Sequence, residues 1–255
     1  MNIMGKTIAI AGKGGTGKTT LIGLILRWMA EQGMKPILAV DADANANLGE
    51  VLDIEVPGNI GELREGMKTD VPAGMTKEAY MEYHIQNLLV ETGTYDLLTM
   101  GRPEGAGCYC YANALCTKFI DFMVKEYDYV IIDNEAGMEH LSRLLMKDID
   151  LLLVVSDPSL RGIRTAGRIK ELVEEINLRV GKLVLVINRA IDGKLVDEAY
   201  NLINEIGIEL AGVIPDDPLI AKFDREGKAT IKLPAESIAY QGVGEIMPKI
   251  FPYQK

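Results

Sequence analysis

The stretch "TIAIAGKGGTGKTTLIGLILRWMAE", residues 7–31, decides the fold. It opens with a short apolar run, passes through four glycines in six residues, and continues as an apolar segment long enough for a helix. A strand, a glycine-rich loop and a helix in that order begin a β-α-β unit. The same alternation continues along the chain. Apolar runs recur at 36–41, 95–100, 127–133, 150–156, 182–188 and 209–215. Helical patterns fill 18–32, 76–91, 113–126, 138–147, 159–177 and 193–206. Gly33, Gly181 and Gly207 stand where helix C-termini favour glycine. Strands that are apolar throughout are buried on both faces, which requires a parallel sheet flanked by helices. The expectation is a doubly wound, mainly parallel α/β fold, with ligands at the carboxyl ends of the strands.

Composition narrows the function. The chain has 255 residues, 48% of them hydrophobic, and no repeat, linker or charge block divides it. We therefore expect one domain over 1–255, carrying an inserted loop at about 101–116. The net charge of -10 speaks against nucleic-acid backbone or anionic membrane as a partner. No apolar run reaches the roughly 18 residues of a membrane span. With no signal-peptide layout and only three cysteines, the protein is expected in the cytoplasm with reduced thiols.

The glycine loop "GKGGTGKTT" fits the phosphate-binding pattern GxxxxGK[ST] in its required strand-to-helix context. Gly12, Gly14, Gly15 and Gly17, with Thr16 and Thr20, let backbone N–H groups converge on phosphate oxygens. Lys18 would reach the β- and γ-phosphates of ATP or the terminal phosphate of ADP, and the Thr19 hydroxyl would ligate Mg²⁺. After the second strand, Asp41 and Asp43 are two apart and share a face while the chain stays extended. One can support the Mg²⁺ shell and the other can position attacking water; a helix-capping role is the other reading, chiefly for Asp41. "YVIIDNEAG" is an apolar strand ending in Asp133, which would reach Mg²⁺ through a water. Asn188 and Arg189 end another strand. The Asn188 amide can pair with an adenine edge, or simply cap its strand.

Lys13 goes beyond the ordinary phosphate loop. "KGGTGKTT" resembles the deviant Walker A motif of the MinD/ParA/nitrogenase iron protein class of P-loop ATPases. The resemblance implies that Lys13 crosses a homodimer interface to the partner's nucleotide; a surface lysine that helps neutralise phosphate is the plainer reading. It also implies that Asp43 is the switch I aspartate orienting water, with Asp41 as strand-end support. Gly137 would be the switch II glycine that feels the γ-phosphate. "VIPDDP", with Pro215 and Asp216, would be a second adenine-side loop.

All three cysteines lie in "GRPEGAGCYCYANALC", residues 101–116. Cys108 and Cys110 are too close for an easy disulfide, and a curled loop with glycines at 105 and 107 would aim both sulfurs at one point. A two-fold axis would gather four thiolates from two subunits, a set suited to Zn²⁺ and other thiophilic divalent ions. The full chain, including "DNEAGMEHLSR", resembles CooC-type nickel-insertion ATPases that serve carbon monoxide dehydrogenase or acetyl-CoA synthase. That resemblance implies ATP-dependent dimerisation, Ni²⁺ or Zn²⁺ held at the Cys-x-Cys pair, and release to a nickel enzyme on hydrolysis. Rival readings are an iron–sulfur electron carrier like the nitrogenase iron protein, a MinD/ParA-like positioning ATPase, or a purely structural loop. The positioning ATPase would call for a basic C-terminal helix, whereas "EIMPKIFPYQK" reads as short and broken by prolines. Cys116 reads as core or a spare ligand. His140, in switch II, and His84, in a helix, are of a type that ligates nickel well, but both read as packing or surface residues.

Overall fold

A computed structural model describes residues 5–101, 124–134 and 148–251 of the chain. Each apolar run noted above is a strand: β1 (Lys6–Gly12), β2 (Ile37–Ala42), β4 (Asp96–Thr99), β5 (Tyr129–Asn134), β6 (Asp148–Ser156), β7 (Arg179–Ala190) and β8 (Glu209–Pro215). A two-residue strand, β3 (Val90–Glu91), pairs antiparallel with β4, and every other pairing is parallel. The strands form one sheet in the order β3-β4-β2-β5-β1-β6-β7-β8. The chain winds outward from β1 in both directions, so the loop after β1 sits at the reversal point, where such folds hold their ligands.

The described helices are α1 (Lys18–Glu31), α2 (Leu48–Leu52), α3 (Ile60–Thr69), α4 (Lys77–Leu88), α5 (Leu160–Glu175), α6 (Asp197–Ile206), α7 (Pro218–Arg225) and α8 (Ile238–Ile250). The period-2 alternation of the strands divides them between two faces. Ile8, Ile10, Ile131, Leu153 and Val186 face α1 and α8. On the other face, Ala9, Leu152, Val154 and Leu185 pack under α5 and α6, and Leu38, Val40, Leu98 and Ile132 under α3 and α4. The expected helices at 113–126 and 138–147 lie outside the described residues, apart from a 3₁₀ turn at Val124–Glu126.

Two expectations need correction. Gly33 and Gly207 do take the left-handed conformation beyond α1 and α6, with φ of 74° and 67°. Gly181 does not end a helix; it lies inside β7, and Asn177, with φ 52°, follows α5 instead. Asparagine tolerates this conformation because its short polar side chain can bond locally. The C-terminal stretch is also more than a broken tail. Residues 238–250 form a helix with Pro248 in its last turn, and Val243, Ile246, Met247 and Ile250 are buried against α1 and the sheet. That apolar face offsets the single backbone bond that proline removes.

Polar contacts fasten α8 to α1. Arg27 pairs with Glu31 at 2.8 Å, and its guanidinium lies 4.2 Å from the centre of the Tyr240 ring. The Tyr240 hydroxyl donates to Glu31 Oε2 at 2.5 Å, which holds the Glu31 carboxyl below its usual range. Arg27 also donates to the Leu233 carbonyl.

The two ends of α8 should respond differently to truncation. Ile246→Ala removes a buried side chain and should cost about 3 kcal/mol of unfolding free energy in a denaturant titration. Ile238→Ala, at a position 42% exposed, should stay within about 0.5 kcal/mol of the parent.

Candidate functional site

The phosphate loop takes its shape from two glycines. A Cβ at Gly12 would collide with the Val155 carbonyl, because β1 runs tight against β6. Gly17, with φ 81°, precedes α1 and would place a Cβ 2.6 Å from Asn188 Nδ2. Gly17 has no side chain to cap α1, so the first-turn N–H groups point into the loop, where an anion is favoured. Gly14 and Gly15 are exposed, Thr19 and Thr20 half-buried, and Lys18 only 6% exposed. Thr16 is buried, and its hydroxyl donates to the Lys13 carbonyl at 2.9 Å, closing the loop on itself. The Lys13 side chain is exposed.

Three neighbouring strands bring a row of polar side chains to the same level. Asp41 on β2 is in register with Thr99 on β4 and with Asp133 on β5. All three are essentially inaccessible to solvent. Asp41 is committed to the backbone: it accepts from Asp43 N at 3.1 Å and from Leu48 N at 2.9 Å, and so holds the segment that enters α2. The capping alternative for Asp41 thus describes its contacts. Burial raises its pKa to about 6, against the pull of those two N–H groups. Asp43 is half-buried and accepts from the backbone and side-chain amides of Asn45 at 2.8 and 3.0 Å.

Asp133 differs. Neither carboxylate oxygen has a hydrogen-bond partner among the described residues, and the Thr99 hydroxyl is equally unpartnered. Burial pushes the Asp133 carboxyl up to about 7, while the nearby Thr19 hydroxyl and Lys18 ammonium oppose the shift. Unsatisfied buried oxygens are costly unless something supplies donors. A hydrated Mg²⁺ fits this requirement: its waters would satisfy Asp133, and the Thr19 hydroxyl can ligate it directly. Thr99 carries no motif, and only strand register reveals its place in the row.

The opposite wall comes from the ends of β7 and β8. Asn188 is buried and donates from Nδ2 to the Thr16 carbonyl at 2.9 Å. Arg189, at φ 61°, donates to the Gly15 carbonyl at 3.2 Å and approaches Asp216 at 3.6 Å. Asp216 N in turn donates to the Ala190 carbonyl at 2.9 Å, which keeps Pro215 and Asp216 beside the Asn188 strand end. The structure thus brings the phosphate loop, Asp133, Asn188, Arg189, Pro215 and Asp216 to one edge of the sheet. Gly137, His140, Cys108, Cys110 and Cys116 lie outside the described residues. His84 sits on α4, its ring tilted against Tyr80 at 4.3 Å and edge-on to Tyr83 at 5.1 Å.

The buried Asp133 should leave a signature in nucleotide-free, Mg²⁺-free protein. Its folded pKa is raised, so the unfolded chain ionises first and stability falls as pH rises from about 4 to 7. Asp133→Asn should flatten that fall and raise stability at pH 7.5 by on the order of 2 kcal/mol. Thermal unfolding across that pH range checks it, and a lower melting temperature for the variant at pH 7.5 would contradict it.

Comparison with known proteins agrees with this geometry. The family model for the CobQ/CobB/MinD/ParA nucleotide binding domain matches residues 7–231. An uncharacterized ATP-binding protein of Methanocaldococcus jannaschii is 41% identical over 248 residues, spanning 95% of this chain and 97% of its own. The carbon monoxide dehydrogenase accessory protein CooC of Rhodospirillum rubrum is 28% identical over 234 residues, spanning 86% and 87%. Among solved structures, the septum site-determining protein MinD of Pyrococcus horikoshii, complexed with Mg-ADP, aligns with a TM-score of 0.73 at 22% identity over 98% and 97% of the two chains. The chain belongs to the CobQ/CobB/MinD/ParA nucleotide-binding family.

Proposed function

We propose that this chain is a cytoplasmic ATPase that carries a thiophilic divalent ion, Ni²⁺ or Zn²⁺, and assists nickel insertion into carbon monoxide dehydrogenase or acetyl-CoA synthase. One spatial observation supports the link between nucleotide and cargo most directly. The segment with Cys108 and Cys110 follows β4, whose neighbour β2 carries Asp41 and in turn pairs with β5, which carries Asp133. Met100 N donates to the Asp41 carbonyl at 2.8 Å, and the Met100 carbonyl accepts from Gly61 N at 2.8 Å. The entry to the cysteine loop is therefore bonded to the strand that leads into switch I. The likeness to the CooC accessory protein over most of both chains adds support.

In this reading ATP binds with its phosphates on the loop at 12–20 and its base toward Asn188, Arg189, Pro215 and Asp216. An amide NH₂ has two hydrogens, so Asn188 can brace Thr16 with one and still offer the other, with its carbonyl, to a base edge. Lys18 neutralises the phosphates, and Mg²⁺ supplies further charge stabilisation when bound. Asp43 turns from Asn45 to orient the attacking water. Lys13, exposed in the single chain, reaches the nucleotide of a second copy in a homodimer. Cys108 and Cys110 of both copies then hold one ion, so ATP and ion each favour the same dimer.

Metal content and sedimentation, with and without a non-hydrolysable ATP analogue, test this. The expected result is about one divalent ion per two subunits with the analogue, abolished by Cys108→Ser/Cys110→Ser. A wild type that binds no ion, or a variant that keeps it, would sink the metal reading. Stoichiometric iron and sulfide would instead indicate an electron carrier. Separately, Lys13→Ala should lower the hydrolysis rate at least about tenfold while MgADP affinity stays within about twofold. Equal losses in both would place Lys13 in its own subunit's site.

A further inference from the structure

Asp217 lies in the "VIPDDP" loop but has been given no role of its own above, and among the described residues it is a heavily bonded buried side chain on the base side of the site. It is 5% exposed. Its Oδ1 accepts from Leu219 N at 2.9 Å, which starts α7. Its Oδ2 accepts from Ser237 Oγ at 2.6 Å and from Ala239 N at 3.2 Å, both at the start of α8. Ser237 is fully buried, and its Oγ also accepts from Tyr240 N at 3.2 Å. One carboxylate thus joins the N-termini of two helices, where its negative charge is favoured.

The position of this junction gives it a consequence for the ligand. Asp217 directly follows Pro215 and Asp216. Pro215 lies between two close neighbours: ideal Cβ positions at Gly193 and Gly242 fall 3.3 Å and 3.6 Å from its ring atoms. Gly242 belongs to α8, so the C-terminal helix backs this loop directly. The same helix is fastened to α1 through Tyr240, Glu31 and Arg27, and α1 begins at the phosphate loop. The circuit closes through Arg189, which touches both Asp216 and Gly15. Both walls of the site are therefore referenced to one helix, and Asp217 is the joint on the base side.

We propose that Asp217 is a positioning residue for nucleotide binding: by bonding the start of α8, it fixes the Pro215–Asp216 loop at a set distance from the phosphate loop. Both its oxygens are committed to protein donors, so it acts through the loop rather than by touching the nucleotide. The inference rests on the reading that places the base on the Asn188–Pro215 wall.

The test compares MgADP, which spans both walls, with magnesium pyrophosphate, which needs only the phosphate loop. Calorimetric titration would be run on wild type, Asp217→Ala, Asp217→Asn and Ser237→Ala. Asp217→Ala should weaken MgADP about tenfold or more and pyrophosphate less than about twofold. Asp217→Asn should recover part of the loss, because its one carbonyl oxygen can still accept from Ser237 Oγ and Ala239 N at the start of α8. If Asp217→Ala does not fold, Ser237→Ala carries the test, with an expected loss of about threefold for MgADP alone. Equal weakening of both ligands, or of neither, overturns the proposal. Photolabelling of wild type with 8-azido-ADP separates the two layers of the argument. Label within residues 188–193 or 213–217 together with unselective losses overturns only the role of Asp217. Label elsewhere overturns the base-side reading and this proposal with it.

Discussion

The close packing of β1 between β5 and β6 is the constraint on which the site depends. β1 enters buried on both sides and leaves at Gly12, where the approach of the Val155 carbonyl admits only a glycine. From that point the chain must turn outward over the sheet edge before α1 can bring it back. The turn is the phosphate loop, and its walls are the strands on either side. β5 delivers Asp133 next to it, and the far end of β7 delivers Asn188. The site is therefore the exit of a central strand together with its neighbours' exits.

Electrostatics then divides the labour between two carboxylates that look alike in sequence. Asp41 and Asp133 are register partners on adjacent strands, and both are fully buried. Asp41 spends its oxygens on two backbone N–H groups and so shapes the entry to α2. Among the described residues Asp133 has no such donors, and its oxygens stay unsatisfied. An incomplete buried carboxylate beside a lysine and a threonine is poised for a hydrated cation, whereas a satisfied one is part of the frame. The row they form with Thr99 also brings the exit of β4, and with it the start of the cysteine loop, into the same layer.

The sheet and the phosphate loop were legible because continuous apolar runs and glycine spacing are local signals. The parts that escaped depend on distant partners. α2 is five residues long and held by Asp41, so no periodicity could announce it. α7 begins at Pro218 after the Asp217 cap, a local start signal, but its eight residues are too few for a helical period to stand out. α8 carries Pro248, and its helical state rests on burial against α1 that the sequence does not display. Asn177 in place of Gly181 as the left-handed residue after α5 shows the same limit from the other side: more than one residue type can make the turn. Thr99 carries no motif and stands out only through register, and Asp217 lies in "VIPDDP" without that stretch announcing its tertiary bonds.

The two margins of the sheet have a further consequence. On one side, the antiparallel β3 is only two residues long and covers β4, leaving little open backbone. On the other, β8 pairs with β7 through two register shifts and ends in Pro215. Long flat strand edges are the usual template for uncontrolled polymerisation, and both margins here are blunted against it. Among the described residues, encounters along either margin find little ladder to extend, so pairing of strands between copies is disfavoured there.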